Sequence, residues 1–330
     1  MINTRNLMYA AVIAVLAVLP MVAGPYWTDV CVSIGLYAVL GLSLNIILGQ
    51  AGLFHMGHAA FYAMGAYTTA ILSTTYQVPI LWSMPVAGLV AALFALVVAR
   101  PIIHLRGDYL LIVTIGIVEI VRIALVNDVF GLTGGSNGIF GVARPTIFGY
   151  RIVKPMQFYY LVWAWVALSM FLFRRLELSR FGRALNYIKE DDVAAEGSGI
   201  NTAHYKLAAF ALGAMWAGMT GSLYAAKMTI ISPESFTFWE SVVLFAIVIL
   251  GGGSQRGVLL GAFLLVGLPE VFRDFASARM LFFGLAMMLM MLFRPQGLMP
   301  PLPRKFKLDH LLGKKSSSQT PQSPAQKEAL

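Results

Sequence analysis

The sequence predicts an all-α polytopic membrane protein with about ten transmembrane helices and both termini in the cytoplasm. Of its 330 residues, 58% are hydrophobic and only 12% are charged, whereas a soluble domain carries about a quarter charged residues. Apolar runs of about 20 residues, the length that crosses a bilayer, recur along nearly the whole chain. One long polar stretch interrupts these runs, and its placement decides the topology of the rest.

Ten spans account for the apolar runs, within a range of nine to eleven because the last three runs are short or interrupted. The first run resembles a signal peptide, but a second span follows almost at once, so we interpret it as a retained helix. The predicted spans cover approximately residues 7–24, 29–48, 54–75, 80–99, 108–126, 156–173, 206–227, 236–253, 257–272 and 277–293.

The polar stretch, residues 174–206, is called the inner loop below. It mixes basic and acidic side chains and is too charged to lie in hydrocarbon. Placing it in the cytoplasm leaves 17 of the 24 Lys and Arg residues inside, six outside and Arg122 within a span. This asymmetry follows the retention of basic residues on the cytoplasmic side. The net charge of +9 therefore reflects topology, and we expect no nucleic-acid partner.

The chain divides into a transmembrane domain at 1–300 and a basic tail at 301–330. The tail beyond Gly313 is rich in Ser, Gln, Pro and Lys and poor in apolar residues, a composition typical of disorder. Its LLGKKSSS run at 311–318 is not a phosphate-binding loop, because Leu308 and Lys315 stand where Gly and Ser or Thr are required. The single cysteine, Cys31, excludes an internal disulfide. We expect no catalytic residues and no cofactor.

Small residues mark two helix faces at spacings of three and four. Such stripes let helix backbones approach closely in lipid, where apolar burial gives no net drive for association. They indicate ordinary bundle packing, with a moving gate as the alternative. The stripe residues are Ala59, Ala63 and Ala66 in the third span and Ala214, Gly218 and Gly221 in the seventh.

A polar, glycine-containing turn joins the second and third spans and carries Asn45, Gln50, His55 and His58. Non-helical backbone at membrane depth persists only where protein or a water-filled cavity satisfies it. The turn is either a re-entrant element lining a translocation pathway or a tight cytoplasmic loop. The two histidines lack a third ligand nearby in sequence, so we predict no metal site.

The fifth span carries two opposite charges, Glu119 and Arg122, which are neighbours on one helical face. Charges within a membrane are costly and usually face the protein interior in pairs. The pair is interpreted as a self-neutralising structural clamp near the outer end of the span. Direct contact with a substrate is the alternative.

Within the inner loop, residues 186–199 predict a short amphipathic helix. Leu185, Ile188, Val193 and Ala195 form its apolar side, and the acidic side carries Glu190, Asp191 and Asp192. Acidic residues disfavour contact with an anionic membrane surface. Docking in a groove of a partner protein is therefore favoured over lying on the membrane.

Seven sequence runs give the chain a specific resemblance that covers most of residues 35–300 in order. The chain resembles the LivM-type membrane permease subunits of bacterial branched-chain amino-acid ABC importers. The runs are GLSLNIILGQAGLFHMGHAAFYAMGAY at 41–67, LRGDYLLIVTIGIVEIVR at 105–122, LTGGSNGI at 132–139, GRALNYIKEDDVAAEGSGIN at 182–201, ISPESFTFWES at 231–241, LGGGSQRG at 250–257 and MLFRPQGLMP at 291–300.

The resemblance implies a non-catalytic subunit of the bacterial inner membrane that transports leucine, isoleucine and valine. Its implied partners are a sister permease subunit, two cytoplasmic ATPase subunits and a periplasmic binding protein. The 186–199 helix would be the coupling helix that receives the ATPase stroke. The importer signature Glu-Ala-Ala-x3-Gly is met only in part, because Val193 replaces its acid. The residues implied in coupling are Lys189, Glu190, Asp191, Asp192, Ala194, Ala195 and Gly199.

Three other functions remain open from the sequence. An ion-coupled secondary transporter would use Glu119 and Arg122, or the histidines, for coupling. An ABC permease for another small solute, such as urea, shares much of the same pattern. A channel or a purely structural subunit would perform no concentrative uptake.

Overall fold

The computed structural model describes residues 18–22, 24–105, 107–128, 131–147, 150–271, 284–285, 288–289, 292–294 and 297–300. Most of the predicted first and tenth spans, and the whole of the tail at 301–330, lie outside these residues.

The described chain consists of helices joined mostly by short connections. Two π-helical segments, Ile46–Gln50 and Phe263–Gly267, extend α1 and α10, and a 3₁₀ turn at Pro233–Phe236 precedes α9. The α-helices are α1 Gly24–Asn45, α2 His58–Thr75, α3 Ile80–Ile102, α4 Asp108–Val126, α5 Pro155–Leu178, α6 Arg180–Glu190, α7 Asp192–Gly197, α8 Thr202–Met228, α9 Phe238–Gly251, α10 Gln255–Ala262 and α11 Leu268–Val271.

Six of the described segments are long and apolar enough to cross a membrane, so the protein is a multi-pass membrane protein. Small and hydroxyl-bearing residues leave α2 less apolar than these six, and most of its residues are buried by other helices. The six segments are Gly24–Gln50, Ile80–Ile102, Asp108–Val126, Pro155–Leu178, Thr202–Met228 and Pro233–Gly251.

The inner loop differs from the prediction of one amphipathic helix over 186–199. Two helices occupy it, α6 and α7, separated by Asp191 in an extended conformation (φ −154°, ψ 109°). Asp191 Oδ1 accepts hydrogen bonds from the backbone N–H groups of Val193 and Ala194, both at 3.0 Å. Because a side chain that caps a helix N-terminus starts a new helix, the chain cannot continue α6 through this residue.

Short strands, which the all-helical prediction did not include, tie the connections at the end of the bundle predicted to face outward. Strand β1 (Ile139–Phe140) pairs antiparallel with β4 (Ile230–Ile231). Strand β2 (Thr146–Ile147) pairs antiparallel with β3 (Tyr150–Arg151). The first pair joins the glycine-rich connection after α4 to the end of α8.

Helix α1 is surrounded by protein. It packs against α5, α8, α9 and α10. In the most apolar stretch of Gly24–Gln50, 83% of the residues are buried. The C-terminal end of α1 continues into the π segment Ile46–Gln50. Asn45, the last residue of α1, donates from Nδ2 to the carbonyl oxygen of Gly253 at 3.0 Å. A Cβ at Gly49 would lie 2.0 Å from Asn45 Oδ1. Glycine at this position therefore leaves the space that the Asn45 side chain occupies.

Helices α2, α3 and α8 pack along small residues. Gly221 faces the backbone of α2, where an added Cβ would lie 2.5 Å from the Tyr62 carbonyl oxygen. Gly218 faces α3, where an added Cβ would lie 2.5 Å from Ala91 Cβ. The sequence analysis identified the stripes on α2 and α8 but missed the matching stripe of α3, whose members are Ala87, Ala91, Ala95 and Ala99, each fully buried.

We predict that Gly65→Ala destabilises the protein by about 1–3 kcal/mol, the usual cost of overpacking. A Cβ at Gly65 would lie 2.1 Å from the carbonyl oxygen of Gly218, and backbone cannot move aside as a flexible side chain does. The thermal unfolding midpoint of the purified protein in detergent measures the effect. The control is Gly116→Ala in α4, where no described atom lies within 4 Å of the new Cβ, so the change should be neutral or slightly stabilising. Equal midpoints for the two variants would contradict the close contact of α2 and α8.

Candidate functional site

A cavity of about 520 Å³ lies among α1, α8, α9 and the segment 265–270. We call it the outer cavity, because its lining residues lie at the helix ends predicted to face outward. Its wall is partly apolar, with Leu36, Val243 and Leu265 among the lining residues. The polar lining residues are Tyr26, Asp29, Ser33, Tyr37, Tyr62, Tyr224, Lys227, Glu240 and Glu270.

The charges of the outer cavity belong to three groups, one of which is the Glu270 carboxylate, an acceptor for the Tyr26 hydroxyl. Lys227 Nζ forms an ion pair with Asp29 Oδ1 at 3.2 Å and donates to Ser33 Oγ at 2.7 Å. On the other wall, the Tyr37 hydroxyl donates to Glu240 Oε2 at 2.6 Å. Tyr37 and Glu240 are 203 positions apart in sequence, so only the packing of α1 against α9 brings them together.

Sequence reasoning missed this site, although one signal was available. Glu240 lies within the predicted span 236–253, and an ionisable residue inside a span is a candidate functional residue by default. The candidates predicted from the sequence were Glu119, Arg122 and the residues of the polar turn. Tyr37 carried no such signal, because a tyrosine in an apolar helix is common.

The Glu119–Arg122 pair is part of a three-residue network. Arg122 Nε forms an ion pair with Glu119 Oε2 at 2.9 Å within α4. Arg122 Nη1 forms a second one with Glu234 Oε1 at 3.2 Å, on the 3₁₀ turn before α9. The pairing matches the geometry of the predicted clamp, and Glu234 extends it between two elements. Neither Glu119 nor Arg122 lines the outer cavity.

The polar turn after α1 is buried inside the protein. His58 Nε2 lies 2.7 Å from Ser43 Oγ, and the His55 ring stacks on Phe61 with 5.4 Å between ring centroids. Asn45 and Gln50 are also buried. None of these four predicted pathway residues lines the outer cavity. Their role in a pathway stays a prediction.

The backbone of this turn is satisfied by neighbouring helices, as non-helical backbone at membrane depth requires. The N–H of Met56 donates to Thr114 Oγ1 of α4 at 3.1 Å. The N–H of Ala59 donates to Ser241 Oγ of α9 at 3.0 Å. The turn therefore connects α1 and α2 to two other helices through its own main chain.

Two lysines attach the inner loop to the membrane helices. Lys189 Nζ of α6 donates to the carbonyl oxygen of Gly49 at 2.8 Å, within the π segment of α1. Lys206 Nζ of α8 forms an ion pair with Asp192 Oδ2 of α7 at 2.6 Å, and only 11% of the Lys206 side chain is exposed. Lys189, Asp192 and Lys206 line a smaller cavity of about 260 Å³.

The other predicted coupling residues divide by exposure. Ala195 is buried together with Leu185 and Ile188, whereas Glu190 and Ala194 are exposed. Val193, assigned to the apolar side from sequence, is 66% exposed. That assignment was wrong, because the break at Asp191 rotates α7 relative to α6. Gly199 has φ +83° and no described atom within 4 Å of an added Cβ, so backbone conformation is what favours glycine there.

The glycine-rich connection after α4 is organised by one carboxylate. Asp128 Oδ1 accepts from the backbone N–H of Thr133 at 2.7 Å and from its hydroxyl at 2.8 Å. The hydrogen bond from the Thr133 backbone, and then the one from its side chain, lower the pKa of Asp128 below its usual value. This geometry closes a loop and forms no phosphate cradle.

We predict that Asp191→Ala loosens α7, because it removes the acceptor for two backbone N–H groups. Loss of an N-cap costs about 1 kcal/mol, which corresponds to about fivefold faster amide exchange. Hydrogen–deuterium exchange of residues 193–197 measures the change. Asp191→Asn is the matched control, since Asn caps helices nearly as well as Asp. Equally fast exchange in both variants would show that charge, not capping, holds α7.

The sequence of this chain is similar to those of a known protein family. A family model described as the permease component of the branched-chain amino acid transport system matches residues 26–293. The high-affinity branched-chain amino acid transport system permease protein LivM of Escherichia coli K12 is 40% identical over 331 residues, covering 93% of this chain and 78% of the relative. LivM of Salmonella typhimurium is 39% identical, with 92% and 77% covered.

More distant relatives include a different permease protein. The high-affinity branched-chain amino acid transport system permease protein LivH of Escherichia coli K12 is 27% identical over 256 residues, covering 71% of this chain and 80% of the relative. No solved structure matches the chain. With a family match over residues 26–293 and 40% identity to LivM across 93% of its length, the chain belongs to the family of branched-chain amino acid transport system permease components.

Proposed function

We propose that this chain is the LivM-type permease subunit of an ABC importer that moves leucine, isoleucine and valine into the cell. The observation that carries the proposal is the 40% identity to LivM of Escherichia coli over 93% of the chain. The six membrane-competent helices and the cavity among them supply what a translocating subunit needs.

The proposed assembly contains a sister permease, two cytoplasmic ATPase subunits and a periplasmic binding protein in the bacterial inner membrane. Similarity to LivH as well as LivM supports pairing with a second permease of related sequence. The chain itself would be non-catalytic, with ATP hydrolysis in the partner subunits. Ten spans with both termini in the cytoplasm remain the proposed topology for the permease domain at 1–300, followed by the tail at 301–330, because this arrangement puts 17 basic residues inside.

Helices α6 and α7 are the proposed docking surface for an ATPase subunit. Two large apolar side chains point to solvent there, Tyr187 at 53% and Val193 at 66% exposure, as expected of helix anchors that enter a groove. Asp191 caps α7 and Asp192 pairs with Lys206. The contact itself would therefore involve Val193 and its exposed neighbours more than these acids.

Purification of the tagged protein from its native membrane in mild detergent tests the assembly. We expect a second permease and an ATPase subunit to accompany it in stable ratio. Vesicles containing that complex and the binding protein should accumulate leucine when supplied with ATP and continue to do so when a protonophore is added at constant ATP. A chain that purifies alone, with leucine uptake abolished by the protonophore, would instead establish an ion-coupled secondary transporter.

We predict that Val193→Asp reduces both leucine uptake and ATP hydrolysis coupled to it by about tenfold. Loss of one buried Val side chain from an interface costs about 1.5–3 kcal/mol, which is a tenfold effect or more. The matched control is Val153→Asp in the connection between β3 and α5, because Val153 is also a valine at the surface, 54% exposed. Membrane levels of both variants are measured by immunoblot. Uptake that falls equally in both variants, or in neither, argues against docking through α7.

A further inference from the structure

The outer cavity is large enough for a small-molecule ligand and mixed in its chemistry. Its volume of about 520 Å³ lies in the range of ligand pockets, roughly 300–1,000 Å³, which are mainly apolar with a few placed polar groups. The apolar side chains of Leu36, Val243 and Leu265 provide the first feature, and Tyr37 and Glu240 provide the second. Such a lining suits a ligand with a short apolar part and an ammonium group.

The run ISPESFTFWES at 231–241 places Glu240 in this wall, and structural contacts account for three of its other residues. Glu234 pairs with Arg122, Phe236 is buried in the core, and Ser241 accepts from the N–H of Ala59. Within the part of the chain that the structure describes, the side chain of Glu240 forms one hydrogen bond, with Tyr37. Its carboxylate faces the cavity that the run helps to form.

The electrostatics of the cavity favour a cation at Glu240. Lys227, the basic residue among the described lining residues of the cavity, is already paired with Asp29. Within the described part of the chain, no lysine or arginine forms an ion pair with Glu240. The 2.6 Å bond from Tyr37 fixes the orientation of the Glu240 carboxylate. A partly buried carboxylate is costly to ionise unless a cation compensates it, so a cationic ligand group gains from binding there.

An ammonium group with an aliphatic chain fits both features at once. The ammonium would lie against Glu240 Oε2, which Tyr37 holds in place, and the branched chain would contact Leu36, Val243 and Leu265. A simple inorganic cation would use the carboxylate but leave the apolar wall unoccupied. A carboxylic acid with the same aliphatic chain would fill the wall and be repelled by Glu240.

We infer that Glu240 and Tyr37 form the ammonium subsite for a branched-chain amino acid in the outer cavity, an inference that rests on the proposed function. The permease itself would then distinguish, in this cavity, amino acids from carboxylic acids of the same shape that lack the ammonium group.

The test uses a cysteine reporter in the assembled importer. The single cysteine of this chain is replaced (Cys31→Ser), and Met228→Cys supplies a thiol in the cavity wall at a residue to which the subsite assigns no contact. Right-side-out vesicles are treated with a membrane-impermeant thiol reagent, and the labelling rate is measured against ligand concentration. The probes are leucine, 3-methylbutylamine, which keeps the ammonium, and 4-methylpentanoate, which keeps the carboxylate and the branched chain.

We expect leucine and 3-methylbutylamine to slow labelling and 4-methylpentanoate to do so only weakly. Glu240→Gln in the reporter should raise the half-protecting leucine concentration about tenfold, the scale of losing one hydrogen bond to a charged group. The labelling rate without ligand should stay the same, which shows that the cavity persists. Asp128→Asn removes one negative charge from the same face of the protein, away from the cavity, and should leave protection unchanged.

Three results would overturn the subsite: equal protection by 4-methylpentanoate, an unchanged half-protecting concentration in Glu240→Gln, or the same weakening in Asp128→Asn. ATP-driven leucine uptake by the reporter importer is measured first. Uptake without any protection by leucine rejects the subsite and leaves the proposed function standing. Absence of uptake by the unsubstituted importer rejects the proposed function itself.

Discussion

The burial of α1 on nearly every side is the constraint on which the rest of the structure depends. A helix inside a bundle in lipid gains little from apolar burial alone, so its neighbours must meet it through close packing and satisfied polar groups. Gly41 shows the packing, since a Cβ there would lie 2.9 Å from side chains of both α9 and α10. Ser43 and Asn45 show the polar part, through bonds to His58 and to the Gly253 carbonyl.

Close packing elsewhere is what leaves room for the outer cavity. Along α2, α3 and α8, small residues bring backbones together, and alanines such as Ala91 and Ala214 are fully buried. On the opposite flank, the bulky side chains of Tyr37 and Trp239 line the outer cavity. The same helix, α8, therefore contributes Gly218 to a tight contact and Lys227 to an open one. The cavity follows from the distribution of side-chain size around the bundle.

Helix α1 also joins the two regions of proposed function. Tyr37 lies in the outer cavity, and Gly49 accepts the hydrogen bond from Lys189 of the inner loop. Twelve residues of helix separate them, about 18 Å at 1.5 Å per residue. One helix held by protein along this length therefore connects the inner loop to the outer cavity. The π segment at its lower end, next to Gly52 with φ +70°, is where that element meets the loop.

The sequence alone determined the membrane class, the boundaries of most described helices to within a few residues, and the polar inner loop. Hydrophobic run length reports directly on insertion into a bilayer, and this property is local. The intrahelical pair Glu119–Arg122 was equally predictable, because its spacing is set by helix geometry. The break at Asp191 was missed, since a capping side chain competes with an amphipathic pattern that continued across it. The alanine stripe of α3 was overlooked inside an otherwise uniformly apolar run.

Only the tertiary structure decided which polar groups meet. Glu234 reaches Arg122, and Glu240 reaches Tyr37, across 112 and 203 positions of sequence. The outer cavity exists because α1, α8 and α9 converge there, and no property of any one of those helices specifies it. Periodicity and composition describe how each segment interacts with lipid or water. Complementary side-chain size between distant segments sets which helix faces which. No single segment of the sequence contains that information, because it depends on both partners.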